Sequence, residues 1–418
     1  MGAGLRPGQI LALGSGTALE FYDFAVFSFF AAQIGRTFFP SSDPNHSLLA
    51  SLATFGAGFL MRPLGAVVVG RVADRVGRKP AMLASLMLMG LGVVFIALIP
   101  GHDVIGGWAG PLVVAGRLLQ GFAMGGQLGP SIAYLVEIAP TERRGFYASF
   151  QLIAQQMATL MAGIVGFVLA RLISDRALDQ WGWRVAFLFG TLVVPVALVV
   201  QNTLAETLRL PDQAAGAVES KWPLSRIMPL GLLLLAGGTT GIYLINYMTT
   251  YATETLHMAK WAGFGATVVI GVTGAVAGGI GGLLSDRFGR KPLQIWPTAF
   301  MVVALVPLFS ILAVARTPAA LLGVSAVLGV TIGLAGAAVL AALTESLPKS
   351  IRGGTFGVIY ALAISVFGAT TQFMIAWLTA VTHNPLAPPA YVTVILLAQL
   401  CGMILMPETA PRRARAAV

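Results

Sequence analysis

Two carboxylates, Glu20 and Asp23, stand in an otherwise apolar stretch near the start of the chain. Ionisable groups inside a membrane-length apolar run cost about 2.5–3.5 kcal/mol each on insertion scales and by default mark a site. Three residues apart, the two project from one face of a helix. With a helix start near position 9, they lie roughly 17–21 Å along it, near the midplane of a bilayer. Two carboxylates that close cannot both ionise cheaply in a dry cavity, so one is expected to hold a proton near neutrality. That is the chemistry of a proton carrier, with Asp23 slightly favoured. The alternative is a carboxylate locked permanently onto Arg62 or a helix end.

Two cations, Arg62 and Arg117, also fall inside apolar runs. The planar guanidinium fork matches a carboxylate in a bidentate way, and a buried anionic ligand needs such a partner. Each arginine also has a structural alternative: Arg62 paired with Asp23 near a bend at Pro63, and Arg117 in a permanent pair or backbone clamp. A cycle in which arginine and aspartate pair when empty and separate on arrival of anion and proton uses both readings. Tyr22, Gln120, Gln127, Gln151, Gln155, Tyr243, Asn246, Tyr247 and Gln372 add amide and hydroxyl groups that could complete a polar cavity. For any one of them, a hydrogen bond between helices is an equal alternative, worth about 0.6 kcal/mol on average.

Other chemistries lack their residues. There is no G-x-x-x-x-G-K-[ST] phosphate loop and no H-E-x-x-H or G-x-S-x-G motif, so neither ATP use nor an enzyme is expected. The four histidines show no ligand spacing, and a single cysteine, Cys401, removes disulfides and cysteine-rich metal sites. No cofactor is expected beyond a coupling ion, read as a proton with sodium left open.

The elements that must position these groups follow from composition. Of 418 residues, 57% are hydrophobic and 10% charged, against about 25% charged in soluble domains. Twelve stretches of about 20 mostly apolar residues can span a bilayer: 9–36, 48–71, 80–99, 108–138, 146–173, 184–204, 226–252, 262–284, 292–314, 318–345, 354–381 and 389–406. The expected fold is therefore an all-α membrane protein of two six-helix bundles, 1–204 and 226–418, joined by a polar linker, 205–225. With the N-terminus inside, 18 of the 26 lysines and arginines lie in cytoplasmic segments, six outside and two within spans. This bias places both termini in the cytoplasm. The net charge of +10 thus reports orientation, and no nucleic-acid partner is expected.

The chain repeats itself. Gly70-Arg71-Val72-Ala73-Asp74-Arg75-Val76-Gly77-Arg78-Lys79 recurs as Gly282-Leu283-Leu284-Ser285-Asp286-Arg287-Phe288-Gly289-Arg290-Lys291. Glu137 precedes Arg144 by seven residues, as Glu345 precedes Arg352. Two parallel six-helix halves are the direct reading. Asp74 and Asp286 sit at helix ends, where an aspartate can cap the N-terminus of a neighbouring helix. Glycines recur every four residues at 121, 125 and 129 and at 274, 278 and 282, a spacing that allows close helix packing.

The doubled G-x-x-x-D-R-x-G-R-K and the Arg117-Leu118-Leu119-Gln120-Gly121 stretch resemble motifs of the major facilitator superfamily. Leu19-Glu20-Phe21-Tyr22-Asp23-Phe24, Gly58-Phe59-Leu60-Met61-Arg62-Pro63, Gln155-Gln156 and Trp181-Gly182-Trp183-Arg184 are similar to its metabolite–proton symporters, above all the citrate–proton branch. The sequence departs at Thr17, Gln127, Thr249 and Gln372, where the family often has Asn, Glu, Pro and Pro. The resemblance implies the major facilitator fold and a bacterial inner-membrane protein, working as a monomer. It implies a proton-coupled importer of a small organic anion, citrate or a related tricarboxylate; a dicarboxylate, shikimate-like acid or zwitterion is the alternative. It also implies a cytoplasmic gate of Asp74, Arg75, Arg78, Asp286, Arg287 and Arg290, with Glu137 partnering Arg143 and Arg144, and Glu345 partnering Arg352.

Overall fold

The computed structural model describes residues 18, 21–76, 78–125, 135–136, 139–192, 195, 223–348 and 352–410. Among the described residues there is no strand. The helices group into twelve segments. In the first half they are α1 (21–38), α2 (44–76), α3 (Arg78–Leu98), α4 (Ala109–Met124), α5 (Arg144–Leu172) and α6 (Trp183–Phe189). The second half holds α7 (Leu224–Thr250), α8 (Lys260–Phe288), α9 (Arg290–Ala315), α10 (Pro318–Ser346), α11 (352–382) and α12 (Ala387–Leu405). Most observed ends lie within a few residues of those expected. The linker lies outside the described residues except for 223–225, and α7 already begins at Leu224.

Local chemistry explains several ends. Asp43 caps α2 by accepting the Asn45 N–H at 2.9 Å, with Pro44 at the first helical position. Thr317 and Pro318 do the same for α10. Inside α2, Pro63 cannot donate to the helical ladder, and the helix breaks at Met61, between Pro44–Leu60 and Arg62–Val76. The bend expected there is present. α1 is interrupted by a turn at Phe30, whose backbone leaves the helical region at φ −103°, ψ 19°.

Eight helices among the described residues are long and apolar enough to cross a membrane. The pair Leu83–Leu98 and His102–Met124 meets at 73° and passes that test only jointly. Glycine contacts separate it into two passes. A side chain on Gly92 would strike Gln120, and one on Gly116 would strike Ile96, so α3 and α4 run antiparallel against each other. The glycine stripes behave as their spacing suggests. Gly121 and Gly125 of α4 lie against the Gly58 and Arg62 carbonyls of α2, leaving no room for a side chain. On α8, Gly271, Gly274 and Gly278 face Leu160, Gln156 and Leu152, so α8 runs antiparallel to α5 of the other half.

The molecule is apolar on the outside as well. Leu60, Leu91, Leu98, Leu172, Val303 and Val314 are all more than half exposed. Such a surface suits lipid and would be insoluble in water. Inside, an aromatic cluster of Phe24, Phe27, Phe55, Phe59 and Phe187 fills the space between α1, α2 and α6.

Candidate functional site

The centre of the site is built from α1 and α4. Asp23 and Arg117 are both fully buried and form an ion pair, Nη1 to Oδ2, at 2.8 Å. Gln120, one turn beyond Arg117, donates its Nε2 to Asp23 Oδ1 at 3.1 Å and accepts from Arg117 Nη1 at 2.6 Å. Both Asp23 oxygens are thereby held. Arg117 Nε and Nη2 have no hydrogen-bond partner among the described residues. Of the alternatives open in the sequence, Asp23 takes Arg117 and leaves Arg62. Arg62 instead lies over Phe24 and Phe59, with its Nη2 at Met124 of α4.

Arg62 is itself buried, with 3% of its surface exposed. Its Nη2 reaches only the Met124 sulfur at 3.6 Å, and its Nε and Nη1 are without partners among the described residues. Aromatic faces replace the missing carboxylate. The Arg62 guanidinium carbon stands 4.3 Å from the Phe59 ring centroid and 4.8 Å from that of Phe24. That of Arg117 is 4.4 Å from Phe24 and 4.3 Å from Phe27. Phe24 is therefore shared by both cations, a desolvated cation–π arrangement worth about 2 kcal/mol for each contact. Among the described residues the site carries two buried guanidiniums and one buried carboxylate, an excess of positive charge that a ligand anion would balance.

The polar set expected to line one cavity divides into several places. Gln372 donates to the Ser28 hydroxyl at 2.6 Å and to the Tyr243 carbonyl at 3.2 Å. Ser28 in turn donates to the Asn246 carbonyl at 3.1 Å, and its own carbonyl accepts from Thr250 at 3.3 Å. Gln372 and Asn246 thus stitch α1 to α7 and α11, while Asn246 Oδ1 and Gln372 Oε1 stay without partners. Tyr243 packs its ring on Phe55 and Phe59 of α2, with centroids 5.8 and 5.4 Å apart, bringing the second half against the arginine site.

Two tyrosines have other contacts. Tyr22 donates to the Ala186 carbonyl at 2.9 Å and ties α1 to α6; Tyr247 is buried in the apolar core of the second half. Gln151 and Gln155 reach a different space, a cavity of about 100 Å³ between α5 of the first half and the helices of the second, lined also by Thr239, Thr298, Thr331 and Gln399. Glu20 and Gln127 lie outside the described residues.

At the other end of the site helices stands the second copy of the repeated loop. Gly289 has φ +104°, a conformation that a side chain resists, which accounts for the glycine in the motif. Asp286 accepts the Gly145 and Phe146 N–H groups at 2.8 and 2.9 Å, capping α5 of the other half as the sequence suggested. Arg290 is fully buried; it meets Asp286 at 2.6 Å and grips Glu345 through two bonds of 3.0 and 3.2 Å. Glu345 is therefore the partner of Arg290 and not of Arg352, which donates to the Leu347 carbonyl at 3.1 Å. Arg352 opens a separate helix, whereas Glu345 is the second-last residue of α10 and faces the start of α9. Arg75 and Arg287 are exposed. Glu137 and the side chains of Asp74 and Arg78 lie outside the described residues, and the half-buried Arg144 has no partner at Nε.

Sequence reasoning missed two contributors here. Glu408 accepts the first two N–H groups of α9, from Arg290 and Lys291, at 2.9 and 3.0 Å, and Thr409 donates to Glu345 at 2.7 Å. A glutamate just past the last apolar run, among basic residues, was the available signal. Ser28 and the phenylalanines over the arginines gave none beyond being part of an apolar helix.

Comparison with known proteins gives this geometry its setting. The family model described as Major Facilitator Superfamily matches residues 13–371. A citrate–proton symporter of Klebsiella pneumoniae is 36% identical over 410 residues, covering 96% of this chain and 91% of the relative. An alpha-ketoglutarate permease of Escherichia coli is 34% identical over 380 residues, covering 88% and 86%. Among solved structures, the xylose transporter XylE from E. coli, in a partially occluded inward-open conformation, superposes with a TM-score of 0.77 at 20% identity, covering 96% of this chain and 97% of that one. The twelve helical segments, the doubled loop and these likenesses agree: the chain is a membrane transporter of the Major Facilitator Superfamily, in its metabolite–proton symporter family on the citrate branch.

Proposed function

We propose that this transporter is a proton-coupled symporter that imports an organic anion, citrate or a related tricarboxylate, by alternating access. The observation that carries the reading is the buried trio Asp23–Arg117–Gln120 beside an Arg62 whose Nε and Nη1 have no partner among the described residues. In the empty state Asp23 satisfies Arg117. A proton arriving on Asp23 cancels its charge and loosens that pair, and the Arg117 fork becomes available to a carboxylate. Arg62, with no anion paired to it among the described residues, is the first partner for another carboxylate of the same molecule. Proton and anion then cross together, so neither charge is moved alone through the low-dielectric interior. The two halves, joined at 205–225, rock about this site, and the bias of cations toward the repeated loops makes that end and both termini cytoplasmic. The protein works as a monomer in a bacterial inner membrane, with the bilayer as its other partner.

Support for a tricarboxylate comes from the citrate–proton symporter at 36% identity. A dicarboxylate is the second reading. It is favoured by the count of two guanidiniums at the site and by the alpha-ketoglutarate permease at 34%.

Uptake by purified protein in liposomes tests the reading, with proton and sodium gradients imposed separately. Labelled citrate should accumulate only under the inward proton gradient and be displaced by excess citrate more effectively than by dicarboxylates. Accumulation that ignores the proton gradient would remove proton coupling, and better displacement by a dicarboxylate would move the assignment to that class.

A further inference from the structure

The end of the molecule remote from the repeated loops carries a second charge network, on the far side of Asp23. α8 has 29 residues, so its first residue, Lys260, stands roughly 43 Å from the Asp286 end. Lys260 Nζ lies 2.7 Å from Asp179 Oδ1, in the connection between α5 and α6. Arg36, at the end of α1, lies 3.5 Å from Glu254, just beyond α7, and 3.9 Å from the same Asp179. Glu254, Arg36, Asp179 and Lys260 thus form a chain of alternating sign. Arg36 and Asp179 belong to the first half, Glu254 and Lys260 to the second, so two of its three contacts join the halves.

Beneath this chain the same helices are closed by other means. Phe30 of α1 packs on Phe264 of α8, one turn in from Lys260, at a centroid distance of 5.0 Å. Two residues further in, Ser28 is bonded to α7 and α11. Charges, rings and hydroxyls therefore stack as three layers between this face and Asp23.

We infer that Glu254, Arg36, Asp179 and Lys260 are the outer gate, the contacts that must part for a substrate to enter from outside. The inference rests on the alternating-access reading above. The inner layers are buried and unscreened by solvent, whereas the charges are partly exposed, from 16% for Lys260 to 42% for Arg36. Such pairs are individually weak and sensitive to salt. A weak ionic layer over a tight seam sets the closed–open balance without locking it.

The experiment reads gate opening, with no substrate present. Cys401→Ser removes the native thiol, and Ala31→Cys places a reporter on α1 between Ser28 and Arg36, buried in the closed form. Right-side-out vesicles are treated with a membrane-impermeant maleimide. Lys260→Gln and, separately, Arg36→Gln should speed labelling roughly two- to tenfold, the range of weak exposed pairs. Lys260→Arg, which keeps the cation beside Asp179, should label at the starting rate. Labelling unchanged in both glutamine variants, each eluting as folded protein, would overturn the inference, as would a Lys260→Arg variant that labels as fast as Lys260→Gln. Because no transport is measured, loss of the citrate reading would leave this result standing.

Discussion

Asp23 and Arg117 illustrate what an ionisable residue in an apolar run can reveal. Their presence in the spans was legible from the sequence alone, because each has to be offset by a partner. The identity of the partner was not, since it depends on how α2 bends and how α1 rotates. Arg62 was also a candidate on paper, and in the structure it is Arg117 that meets Asp23. The pair makes a stability prediction. Arg117→Ala leaves a buried carboxylate uncompensated and should cost about 3–5 kcal/mol, read as a lower unfolding midpoint in detergent. Adding Asp23→Asn should recover most of that loss. A double variant no more stable than Arg117→Ala alone would mean that the pair is not what holds these side chains.

At the scale of helices, small residues set the distances. The four-residue glycine spacing on α4 and α8 was readable, and the structure gives it partners: α2 for one stripe, α5 of the opposite half for the other. Spacing could not name those partners, because nothing in one helix states which neighbour lies against it. Gly274→Val would drive a side chain into Gln156 and should reduce both folded yield and transport. Gly323→Ala meets open space and should leave transport unchanged and the unfolding midpoint equal or higher, since alanine is the better helix former. Equal damage from the two would show that packing at the α5–α8 seam is not the controlling factor.

For the molecule as a whole, the site lies between two unlike closures. On the loop side, Thr409 supports Glu345, which holds Arg290, which holds Asp286 against the start of α5, while Glu408 accepts the first N–H groups of α9. That network is buried and charge-dense. The opposite closure is a partly exposed ionic chain over aromatic and hydroxyl layers. The loop network was half legible: the repeat announced it, but Glu345 meets Arg290 at the start of α9, where the spacing had paired it with Arg352. The outer chain was invisible, because Arg36 and Lys260 read only as topological exceptions. Both closures serve one claim, that a proton on Asp23 and an anion on the arginines move together. Its most direct test is proton entry into liposomes loaded with a pH-sensitive dye, when citrate is added outside at zero membrane potential and equal pH. The native protein should acidify the interior on citrate addition, and Asp23→Asn, still able to exchange citrate, should not. Citrate uptake without acidification by the native protein, or undiminished acidification by Asp23→Asn, would contradict it.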